Sequence, residues 1–157
     1  MSFSHFDTDG RAIMVDISAK QPTLRTAIAE AKVRMLPTTL VRIQNQGINK
    51  GDVFNVSRLA GISAAKKTPD LIPLSHPLML NAVSIDFEID KSESTILVRS
   101  KVVAVERTGV EMEAMVAAST AALTIYDMCK AVDRDITICE MHLVYKEGGK
   151  SGIYKRT

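Results

Sequence analysis

A chain of 157 residues is long enough to bury one compact core, and its +2 charge, from 20 basic and 18 acidic residues, implies no polyanionic partner. Seven aromatic residues without a tryptophan give little for base stacking, and Cys129 and Cys139 fit no disulfide or zinc framework. The polar opening lacks a signal-peptide core and no apolar run is long enough to span a bilayer, so a reduced cytoplasmic protein without membrane or nucleic-acid contacts is expected.

Residues 1–13 read as a loose tail, and residues 14–147 as a single α+β domain. Residues 25–35 alternate, with Ala27, Ala29, Ala31, Val33 and Met35 on one face. That predicts a strand, although Ile28 spoils the pattern and leaves a helix open. Pro37 then starts a short helix over residues 40–44. Asp52 is a good N-cap for a helix over 53–67, which Thr68-Pro69-Asp70 stops. Residues 81–90 alternate, 91–94 form a polar turn, and Thr95–Glu106 returns as the second arm of a hairpin. Residues 109–131 predict a helix that is apolar or small nearly all round, with charge only at its ends. A last strand follows over 136–145, then a basic, glycine-rich tail over 148–157. The order is that of the split βαββαβ, ferredoxin-like fold: an antiparallel sheet with helices on one face.

Several groups carry chemistry. Lys50, beside the Asp52 N-cap, is placed to meet a phosphate at a helix N-terminus, or is an ordinary exposed lysine. The segment LIPLSHPLML presents Ser75 and His76 on a stiff wall between Pro73 and Pro77. His76 there is either a ligand contact or a histidine satisfied by a backbone carbonyl. Glu111 and Glu113 open the buried helix, where acids also simply complement its dipole. Asp127 and Lys130 close it, three apart and able to pair. Gly149-Lys150-Ser151 resembles the end of a P-loop but lacks its first glycine, although the glycines could wrap an anion. Cys139 and His142, three apart on a strand, should face opposite sides, which argues against zinc and leaves no metal site. Lysines, a rigid histidine and acids flanking an apolar core suit acid–base chemistry on a phosphorylated ring compound.

The strings KGDVFNVSRLAGISAAKKTPDLIPLSHPLMLNAV, TGVEMEAMVAASTAALTIYDMCKAV and KEGGKSG closely resemble the molybdenum cofactor biosynthesis protein C (MoaC) family of cyclic pyranopterin monophosphate synthases. The resemblance implies a lyase that converts 3′,8-cyclo-7,8-dihydroguanosine 5′-triphosphate to cyclic pyranopterin monophosphate, releasing diphosphate. It implies a homohexamer, a trimer of dimers with sites at the dimer interface. By the same resemblance Asp127 is the catalytic acid/base, with Lys130 and Lys50 as further functional positions. Leu74, Ser75, His76, Met112 and Glu113 become substrate contacts, Glu111 a further functional position, and Arg25 and Lys146 phosphate ligands. No cofactor is assigned, and Mg²⁺ at the triphosphate stays open. Ser75 stands where the family usually has Cys, which argues against an essential thiol there. Two non-enzyme readings compete. An RNA-binding module would need an aromatic strand motif that is missing. A small-molecule-binding or oligomerisation module would need no acid–base constellation.

Overall fold

A computed structural model describes residues 4–45 and 52–157. Strand β1 (Thr23–Arg34) leads to helices α1 (Pro37–Gln44), α2 (Val53–Ala65) and α3 (Thr68–Leu71). The hairpin β2 (Leu80–Asp90) and β3 (Thr95–Glu106) follows, then α4 (Glu111–Cys129), β4 (Thr137–Glu147) and β5 (Tyr154–Lys155). The sheet order is β2-β3-β1-β4-β5, and every paired neighbour is antiparallel. Strands β1 to β4 with their helices are the split βαββαβ arrangement.

The alternation in β1 wins over its strand–helix ambiguity. Ala27, Ala29, Ala31 and Val33 are fully buried under the helices, and Ile28 takes the other face. The small alanines let α4 lie close across β1, β3 and β4. Ser100 fastens it there: its buried hydroxyl donates to the Ala114 carbonyl at 2.6 Å. The first turn of α4 is thereby held against the sheet, which positions Glu111 and Glu113. Asp133 starts α1 from a distance, accepting from Leu36 N–H at 2.9 Å and Thr39 Oγ1 at 3.0 Å.

Helices α2 and α4 approach closely at Gly61. A Cβ on Gly61 would sit 2.9 Å from the Ala117 carbonyl oxygen and 3.2 Å from Ala121 Cβ. Gly61→Val is therefore expected to cost about 2–3 kcal/mol by overpacking, more than the few tenths regained in helix propensity. Urea denaturation checks this, and unchanged stability would mean that the two helices move apart easily.

Three details differ from the sequence expectation. The stop signal Thr68-Pro69-Asp70 itself begins the short α3, after α2 has ended at Ala65. β4 runs on to Glu147, and the chain returns as β5 against it. Cys139 and His142 pair with Lys32 and Glu30, which share a face of β1, so they too face one side. An extra β4 residue at the bulge, where Glu140 has φ 53°, breaks the simple alternation. That face carries the Arg99–Glu30 and Lys32–Glu140 ion pairs.

Candidate active site

Two open cavities meet at the start of α4. The first, of about 820 Å³, lies between the ends of β1, β3 and β4 and the C-terminal segment. Arg25 and Lys146 line it, with Lys20, Arg107, Lys150 and Ser151. Five cations there face two carboxylates, Glu111 and Glu147. The Arg25 guanidinium is aimed by two backbone carbonyls, Glu106 at 3.2 Å and Arg107 at 3.4 Å. Gly148 and Gly149 pass directly over it, with φ of 102° and 71°. A Cβ on Gly149 would fall 1.9 Å from Arg25 Nη1, and one on Gly148 2.2 Å from the Leu24 carbonyl oxygen. Conformation favours glycine at both positions, and at Gly148 the fixed Leu24 carbonyl also leaves no space for a side chain. The KEGGKSG string thus builds one wall of a cationic cleft.

The second cavity, of about 650 Å³, has an apolar lining from Val15, Ile17, Ile72, Pro73, Leu74, Leu78 and Met112. Ser75, His76 and Glu113 are its polar groups nearest the stiff wall and the helix. His76 Nε2 lies 2.8 Å from the Val15 carbonyl oxygen and, since a carbonyl only accepts, Nε2 donates. The carbonyl-satisfied histidine and the cavity-lining histidine are the same residue. Ser75 N–H closes a turn on the Ile72 carbonyl at 3.0 Å, which keeps the wall irregular and fixed.

Glu113 is 3% exposed. Burial pushes its carboxyl up to about 7, its own backbone N–H offsets part of the rise, and the Glu111 charge adds to it. A carboxyl that exchanges its proton near neutrality is suited to general acid–base work. Glu111 lines both cavities and accepts from Lys146 Nζ at 2.8 Å. Lys20, Thr108 and Gly109 also border both, so the two clefts form one surface. Both volumes fall in the range of small-molecule sites.

Asp127 and Lys130 are not part of that surface. Lys130 Nζ donates to Asp127 Oδ1 at 2.5 Å, and both side chains are about half exposed. The bond and the Asp127 charge raise the Lys130 pKa. Since α4 is one helix, the 14 residues from Glu113 to Asp127 place them about 21 Å apart along its axis. Lys50 lies outside the described residues. Lys20 and Arg107 carry no signal in the sequence, because they sit in connections without periodicity. Among the described residues no group of three or more His, Cys, Asp or Glu is placed to hold a metal ion. No helix among them is long and apolar enough to cross a membrane.

Fold and site together define a small α+β protein with a cationic cleft joined to a more apolar one that holds two histidines and a protonatable acid. The sequence profile of the MoaC family matches residues 14–149. The chain is 64% identical to the cyclic pyranopterin monophosphate synthase of Pelobacter propionicus, over 99% of this chain and 98% of that one. It is 61% identical to the proteins of that name from Geotalea uraniireducens and Geobacter sulfurreducens, with the same coverage. The chain belongs to the MoaC family.

Proposed function

We propose that this chain converts 3′,8-cyclo-7,8-dihydroguanosine 5′-triphosphate to cyclic pyranopterin monophosphate with release of diphosphate, an early step of molybdenum cofactor biosynthesis. The observation that carries this reading is the meeting of the two clefts at Glu111, in a chain so close to the named synthases. The five cations of the first cleft suit a triphosphate. The apolar second cleft suits the rings, with Leu74, Ser75, Met112 and His76 as contacts. Glu113 is placed there to give and take protons as the rings are rebuilt. A ribose-derived hydroxyl then attacks the α-phosphorus. Its proton passes to a base, the bond to the β-phosphate oxygen breaks, and diphosphate leaves. Arg25 and Lys146 stabilise the charge on the departing group, with Lys50 as a third cation.

Asp127 and Lys130 complete the site from a second copy of the chain. Within one chain they stand too far from Glu113 to reach the same nucleotide-sized ligand. The exposed stripe of α4 through Met112, Ser119 and Leu123 carries no charge, and Val56 and Leu59 of α2 are exposed as well. A helix of a second copy crossing on that stripe would bring its Asp127 toward this Glu113. The working form in this reading is a cytoplasmic homohexamer, a trimer of such dimers.

Incubation with the cyclic dihydroguanosine triphosphate should release stoichiometric diphosphate and a pyranopterin. Tight binding without diphosphate release would favour a non-catalytic binding module instead. Free pyrophosphate should inhibit, and Arg25→Ala, Lys146→Ala and Lys50→Ala should each raise its inhibition constant by about tenfold. Inhibition unchanged in all three variants would argue against a phosphate role for these cations.

A further inference from the structure

Glu111 borders both cavities, whereas its partner Lys146 borders only the first. The Lys146 ammonium donates to Glu111 Oε1 at 2.8 Å and to Ser151 Oγ at 3.1 Å. The ion pair is partly shielded, with side chains 27% and 28% exposed. Two residues along the same helix turn, Glu113 reaches the second cavity. Glu113 shares that cavity with Lys20 from the segment before β1, His76 from the wall and His5 from the N-terminal segment.

We propose that Glu111 is a positioning residue, a latch that holds Lys146 until a polyphosphate draws the lysine away, and that this exchange links phosphate occupancy to proton retention at Glu113. The inference rests on the triphosphate reading given above. A di- or triphosphate carries more charge than one carboxylate and competes for the same ammonium. Once Lys146 turns to phosphate, Glu111 stands as an uncompensated anion beside Glu113. An added like charge strengthens the hold of a carboxyl on its proton. When diphosphate leaves, Lys146 returns to Glu111, and Glu113 becomes the readier acid. Lys20 also borders the first cavity, so phosphate draws on its charge too and weakens its pull on Glu113 in the same direction, whereas His76 and His5 border only the second cavity; the group that loses its bonded partner on exchange is Glu111. The raised pKa of Glu113, to which Glu111 contributes, agrees with this placement.

The test is calorimetric titration of the full-length protein with metal-free pyrophosphate at pH 7, in buffers of different ionisation enthalpy. Glu111→Gln should bind pyrophosphate about two- to fivefold more tightly, because nothing restrains Lys146. Proton uptake on binding should fall to less than half the wild-type value. In the absence of ligand, carboxyl carbon-13 titration should place Glu113 lower in Glu111→Gln and higher in Lys146→Gln than in the wild type. The second variant keeps the test open should the first fail to fold. Weaker or unchanged binding in Glu111→Gln, or undiminished proton uptake, overturns the latch. If Lys146→Gln loses pyrophosphate while Glu111→Gln matches the wild type, the phosphate reading stands and only the latch falls. If the wild type binds no pyrophosphate, both fall.

Discussion

Asp127→Asn and Lys130→Ala are each expected to slow turnover by about 10²- to 10⁴-fold, the range for removing a general acid or base. The fold should survive. The pair sits at the end of α4 with both side chains about half exposed, and an exposed ion pair contributes about 1 kcal/mol or less. Diphosphate release measured beside circular dichroism separates the two effects. Near-normal turnover in both variants would reduce the pair to a helix-end contact.

Glu113→Gln should show an opposite signature, less activity and more stability. A carboxyl held near 7 in the folded chain, against 4.5 when unfolded, is neutral in both states at low pH. Above about pH 4.5 the unfolded chain releases the proton first, so stability is lost progressively as pH rises through about 7. The penalty reaches about 3 kcal/mol above pH 8. Glutamine has no such proton to release. Urea denaturation should find the variant about 3 kcal/mol more stable than the wild type at pH 8.5 and equal to it at pH 4. Turnover should fall at least about 10²-fold. Equal stability at both pH values would mean that Glu113 is ionised and well paired in the folded protein.

The period-2 run of β1 and the hairpin of β2 and β3 were legible because one face of each strand is more buried than the other, fully in β1 and only partly in β2 around Ile85. The bulge in β4 was not, since a non-glycine residue at positive φ such as Glu140 leaves no mark in composition. The α4 helix reads as apolar or small nearly all round, yet Met112, Ser119 and Leu123 are exposed. An uncharged stripe looks the same in sequence whether the protein's own core or a second chain covers it. The cations of the first cleft were only half legible. Lys146 lies in a family string and Arg25 follows only from the wider family resemblance, whereas Lys20 and Arg107 reach the cleft by the paths of connections that no periodic pattern describes. The role of His76 could not be decided from its neighbours, because its partner Val15 lies 61 positions away in a segment without regular structure.

The most direct measurement is subunit complementation. Glu113→Ala and Asp127→Ala chains, each inactive alone, are mixed in equal amounts after reversible dissociation and assayed for diphosphate release. A site built from Glu113 of one chain and Asp127 of another leaves one intact site in every mixed dimer. Random pairing then restores roughly a quarter of wild-type activity. Mixed dimers that form, as shown by mass spectrometry of differently tagged chains, yet recover no activity would contradict a site shared between two copies.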